Sequence, residues 1–169
     1  MSDARQGINL PACRSDGLIM NEKLNLLAKD LTRTFPRSPR ETLGGYVIAG
    51  RTLDKFRALI AGTAGEYHFD CPVDNLLFSF KAVKGAEVKP LLASGANDAQ
   101  IAAWLDAHGT PRTEAEIRAW SDSVEAIRPY DNPEQRDWFA GECLRLGLKP
   151  ENTTLFGYLE ADDRASFKN

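Results

Sequence analysis

The run "GTAGEYHFDCPVD", residues 62–74, holds the densest set of chemically capable side chains in the sequence. Glu66, Tyr67, His68, Asp70 and Cys71 fall within six residues, and the Cys71-Pro72 step opens a helix. A cysteine at a helix N-terminus has its thiolate favoured by backbone N–H groups and by the helix dipole. That dipole contribution is about 0.3–1 kcal/mol. Asp74, three residues on, is placed to cap the Cys71 N–H as the acid of a capping box does. Its charge opposes a second anion by a comparable amount, so the bland reading of Cys71 is a small, buried cap residue. The reactive reading makes Cys71 a thiolate nucleophile or redox group, with Glu66 or Asp74 as acid/base. It requires a nearby cation, and Arg51 and Arg57 are the candidates.

A metal site is the second possibility. In an extended segment Glu66, His68 and Asp70 point the same way, and Cys71 and Asp74 add ligand types. However, there is one usable histidine, no H-E-x-x-H spacing, and no set of four Cys or His ligands of the kind structural zinc recruits. No metal and no cofactor are expected. His108 is better read as a cation at a helix C-terminus.

The third possibility is an anion pocket. From Lys29 to Arg57 seven basic residues face only Asp30, Glu41 and Asp54, so this segment carries +4 and the rest of the chain −7. Arg51, Asp54 and Arg57, spaced by three, share one helix flank on which Asp54 can hold the guanidinium forks. Such a group clamps a carboxylate or phosphate bidentately. Tyr46, the glycines and the polar run at residues 65–74 follow closely in the chain, and Tyr67 supplies a hydroxyl donor. The competing reading is a solvated charged face with pairs of small value.

These residues depend on a helical frame. "SPRE", residues 38–41, has the form of a capping box with Ser38 as N-cap and Pro39 at the first helical position. The helix it predicts runs to Ala61. Tyr46, Ala49, Leu53, Phe56 and Ile60 lie on its apolar face, and Arg51, Asp54, Lys55 and Arg57 on the polar one. Gly44, Gly45 and Gly50 weaken it by up to about 1 kcal/mol each. "EYHFD" alternates, turning Tyr67 and Phe69 inward. Further helices are predicted from Pro72 to Val83, around Val88–Leu92, around Ile101–Leu105, after Thr113 with Glu116 as capping partner, after Asn132-Pro133, and from Leu155. The expected fold is all-α: a compact single-domain bundle of seven or eight short helices, with at most one short extended segment near residues 66–70. Residues 1–20 read as a flexible extension and 21–169 as the domain. Met20 offers an alternative start.

Bulk properties agree with an ordinary globular protein. The chain has 169 residues, 43% of them hydrophobic, and a net charge of −3, which argues against a nucleic-acid or membrane coat. Cys13, Cys71 and Cys143 are too few and too scattered for a disulfide framework or zinc ribbon. No apolar run is long enough to span a bilayer, and no secretory signal shows, so a cytoplasmic location is expected. Trp104, Trp120 and Trp138 sit on apolar stripes and read as core. The helix after "HGTPRT" is too acidic for a recognition helix. No phosphate loop, G-x-S-x-G elbow or Ser-His-Asp order occurs.

The stretch "FPRSPRETLGGYVIAGRTLDKFRALIAGTAGEYHFDCPVD" resembles the opening signature of a bacterial family catalogued as domain of unknown function 5069. Arg37-Ser38-Pro39, Gly44-Gly45-Tyr46, Asp54-Lys55, Arg57-Ala58, Gly65-Glu66-Tyr67, Cys71-Pro72 and Asp74 carry the resemblance. It extends through "IAAWLDAHGTPRTEAEIRAW" and covers about Lys29 to Asp162. It implies no activity, and the family pattern does not require histidine at position 68.

Two functional readings follow. The first is a non-catalytic module that binds a small anionic metabolite or a protein partner through Tyr46, Arg51, Asp54, Arg57, Glu66, Tyr67 and Asp74. The second is an enzyme that uses the Cys71 thiolate. They share one requirement: the arginine-bearing helix must fold over the Cys-Pro helix start.

Overall fold

The computed structural model describes residues 22–167, so Cys13 and the expected extension over residues 1–20 lie outside the described residues. Eight α-helices account for the architecture, with no strand among the described residues. They are α1 (22–27), α2 (Ala49–Ala61), α3 (Pro72–Lys81), α4 (Gly85–Ala93), α5 (Asp98–Ala107), α6 (Glu114–Glu125), α7 (Arg136–Arg145) and α8 (Leu155–Ser166). Single 3₁₀ turns at Pro129–Asp131 and Pro150–Asn152 flank α7.

Several helix starts follow from their caps. The Thr113 hydroxyl accepts from the Glu116 N–H while the Glu116 carboxylate accepts from the Thr113 N–H, the reciprocal pairing of a capping box. Asn97 and Gln100 do the same for α5. Pro72 sits at the first position of α3, and the Asp74 carboxylate accepts from the Cys71 N–H at 3.3 Å.

The start of α2 differs from the capping-box expectation. "SPRE" forms a tight turn instead, with the Glu41 N–H donating to the Ser38 carbonyl. The Ser38 hydroxyl, rather than capping a helix, donates to Glu160 on α8. The reason lies a few residues on. Gly44 and Gly45 adopt φ of +60° and +86° and close a two-residue turn between Leu43 and Tyr46, which pair across it. A backbone with two successive positive φ values cannot be helical. The chain enters α2 only at Ala49, through Ile48 at φ +68°, a conformation that is strained for a β-branched residue.

Helix α2 is the central element. From Ala49 to Ala58 every residue is buried, including Arg51, Asp54, Lys55 and Arg57. The polar face expected to meet solvent is therefore covered. Its apolar face packs Leu53 and Phe56 into the main core with Tyr46, Leu77, Phe78, Leu92, Ile101 and Leu105. Each such side chain contributes roughly 1.5–3 kcal/mol of burial. A second cluster joins Val47 and Ile48 to Val124 and Phe156, and a third packs Phe139 and Cys143 against Tyr158. Trp104 and Trp120 pack against the main core as expected. Trp138 does not, being 55% exposed on α7.

Candidate functional site

Buried charge is tolerated only when it is paired, and α2 pairs its charges in two separate groups. At the α5 side, Asp54 accepts from the Arg37 backbone N–H at 2.9 Å and from both Nε and Nη2 of Arg37. Lys29 adds its ammonium at 3.1 Å. Asp98, at the start of α5, binds Arg57 at 2.7 Å and also Arg37, and Arg57 Nη2 donates to the Ala96 carbonyl. Burial works against the charged form of Asp98, but the Arg37 and Arg57 hydrogen bonds outweigh it and hold its carboxyl below the usual range. Asp54 thus grips Arg37, not Arg51 and Arg57. The cluster is filled by its own side chains.

The second group opens onto a cavity of about 580 Å³. Arg51 reaches across it to α8, donating Nη1 and Nη2 to the two Asp163 oxygens at 2.6 and 2.9 Å. The Tyr67 hydroxyl donates to the same carboxylate at 2.9 Å. Burial, and then the Asp163 charge, push the Tyr67 hydroxyl well above the usual phenol range, so Tyr67 is a donor here and not a base.

One turn along α2, Lys55 points at the start of α3. Its ammonium lies 2.8 and 2.9 Å from the two Asp74 oxygens and 3.3 Å from Cys71 Sγ. The Thr52 hydroxyl donates to Asp74 at 2.7 Å. Asp74 is 0% exposed, and with Lys55, Thr52 and the Cys71 N–H bound it is a holding group and not an acid/base for a ligand. Cys71 itself is part-exposed and lines the cavity.

The turn between α2 and α3 supplies the rest of the wall. Gly65 has φ +58°, and a Cβ there would meet the Leu31 carbonyl oxygen at 2.9 Å, so only glycine lets this turn press against residues 31–32. The Leu31 N–H donates to the Thr63 carbonyl at 2.9 Å across the same approach. Glu66 and His68 are exposed on the cavity rim. Phe69 turns away into the core against Phe56, and Asp70 is engaged by Asn75.

The sequence-predicted residues therefore separate. Arg51, Glu66, Tyr67 and Cys71 line one cavity, with Asp74 immediately behind it. Asp54 and Arg57 belong to the filled cluster. Tyr46 is fully buried elsewhere, its hydroxyl donating to Asp106 and pushed up to about 12 by burial and by that carboxylate. Among the described residues no group of three His, Cys, Asp or Glu side chains is arranged to hold a metal. The ring of His108 stacks on Trp104 and its Nδ1 meets the Trp104 carbonyl at 2.9 Å. Two participants escaped sequence reasoning. Lys55, not Arg51 or Arg57, is the cation at Cys71; its spacing of one helical turn from Arg51 was the available signal. Asp163 lies 112 residues from its partner Arg51, and nothing local marks it.

A family model matches residues 33–165, most of the chain, including the cavity residues from Arg51 to Asp163. The chain belongs to the family described as domain of unknown function (DUF5069). No curated protein matches it. For this DUF5069 chain the family supplies no activity, so the cavity's own geometry is the basis for a functional reading. No helix among the described residues is long and apolar enough to cross a membrane.

Proposed function

We propose that the cavity between α2, the α2–α3 turn and α8 is a small-molecule site of a thiol-dependent enzyme. Cys71 is its nucleophile and Lys55 is the cation that balances charge on sulfur. The supporting observation is the Lys55 ammonium 3.3 Å from Sγ at the wall of a cavity of about 580 Å³. The ammonium and the first turn of α3 both set positive charge beside the sulfur. Asp74 opposes it, but it also fixes the ammonium in place. Glu66 and His68, on the rim, are the groups free to carry protons to and from a substrate.

The non-catalytic alternative, an anionic ligand clamped by Arg51, is weaker on this geometry. Both terminal nitrogens of Arg51 are already engaged by Asp163, so an incoming anion must displace a bidentate carboxylate. The test is alkylation by iodoacetamide at pH 6.5, in which sulfur bonds carbon and iodide leaves. Cys71 is expected to react faster than a small free thiol in the same buffer. A rate equal to or below that of the free thiol would overturn the enzyme reading.

A further inference from the structure

The cavity's charges are unevenly matched. Arg51 is neutralised by Asp163 and Lys55 by Asp74. Asp162, also on the wall, is held at 2.6 Å by Arg145 from outside. Glu66 is the remaining charged lining residue, and among the described residues it makes no ion pair. Among the described lining residues Glu66 is thus the carboxylate with no cation of its own, carried on the α2–α3 turn next to Tyr67 and His68, and a Cys71 thiolate that shares Lys55 with Asp74 adds to the negative charge. Apolar surface from Leu31, Val73, Leu159 and Phe167 completes the lining.

From this imbalance we infer that the site takes a small cationic ligand, an amine joined to a short apolar body, with Glu66 receiving the ammonium while the reacting atom meets Cys71. This rests on the thiol reading of the cavity and names the substrate class for it. It reverses the preference for anions that the basic segment suggests, because the two cations of that segment at this cavity, Arg51 and Lys55, are engaged by Asp163 and Asp74. An amine set against Glu66 needs no displacement of an existing pair, whereas an acid of the same size meets an unopposed like charge. At about 6 Å in water, one charge of this kind is worth about 0.7 kcal/mol, or roughly threefold.

Three symmetric disulfides of matched size, ending in ammonium, hydroxyl and carboxylate groups, provide the test. In each, the Cys71 thiolate attacks one disulfide sulfur, a mixed disulfide forms, and the other half leaves as its thiolate. Adduct formation at Cys71 is followed by peptide mass spectrometry at low salt. The cationic reagent is expected to add about threefold faster than the neutral one, and about tenfold faster than the anionic one, after each rate is normalised to a small free thiol. The order should flatten in Glu66→Gln and at high salt. Equal normalised rates, a lead for the anionic reagent, or an order that survives Glu66→Gln would overturn the inference while leaving Cys71 reactive. Failure of all three reagents to add at Cys71 would overturn the thiol reading and the charge preference with it.

Discussion

Two sides of the buried stretch of α2 carry the same residue types and serve different purposes. The Arg37–Asp54–Asp98–Arg57 cluster and the Arg51–Asp163, Lys55–Asp74 pairs are both sets of buried cations held by carboxylates. In the first, the carboxylates and guanidinium groups fill the space between α2 and α5. In the second, the pairs stand at the edge of a hollow, and one of them touches a cysteine. Charged residues therefore do not mark a site by themselves; the unfilled volume beside them does.

Removing a carboxylate from each group should separate the two most sharply. Asp54→Ala takes from Arg37 one of its two carboxylates, removes the partner of Lys29 and leaves the Arg37 backbone N–H without its acceptor. A loss of about 3–5 kcal/mol in urea denaturation is expected, as for breaking other buried pairs. Asp163→Ala strands Arg51 beside a cavity that water can enter, so the expected loss is smaller, about 1–2 kcal/mol. Equal losses would erase the distinction between a filled cluster and an open one.

Acid titration sharpens the same contrast. Asp98 has a carboxyl held below its ordinary value of 3.8, so its contribution is fully present above about pH 4 and is lost as pH falls through the lowered native value. Asp98→Asn should therefore flatten the fall of stability below pH 4. An unchanged slope would show that the two arginines do not depend on that charge. The smallest expected effect belongs to Glu66→Gln. Glu66 is exposed and makes no ion pair among the described residues, so its stability should stay within about 0.5 kcal/mol of wild type. Glu66→Gln can therefore report on the order of the charged reagents in a protein that stays folded.

The all-α architecture was legible because its signals are local. Thr113 with Glu116, Pro72 after Cys71, and the apolar spacing of Leu53 and Phe56 each act over a few residues. The error over residues 38–48 has a local cause too: a strong cap motif competed with a Gly-Gly turn, and two positive φ values won. The polar side of α2 was misread for a different reason. Arg51, Lys55 and Arg57 resemble a solvated stripe until Asp163, Asp74 and Asp98 are seen to meet them, and those partners are remote in the chain or on other helices. For the candidate site, the polar run at residues 62–74 and its Cys-Pro step were readable. The cation at sulfur was not, because three basic residues on one helix are equivalent until the neighbouring helix is placed.

The most direct measurement is the iodoacetamide rate at Cys71 in the wild type, Lys55→Met and Asp74→Asn, with thermal unfolding recorded for each so that folded samples are compared. If the Lys55 ammonium supports the charge on sulfur and Asp74 competes for it, Lys55→Met should react about fivefold slower or more, and Asp74→Asn faster than wild type. Variants that both react faster would indicate only a loosened helix start, and equal rates in all three would contradict a thiol site built on the Lys55–Cys71 contact.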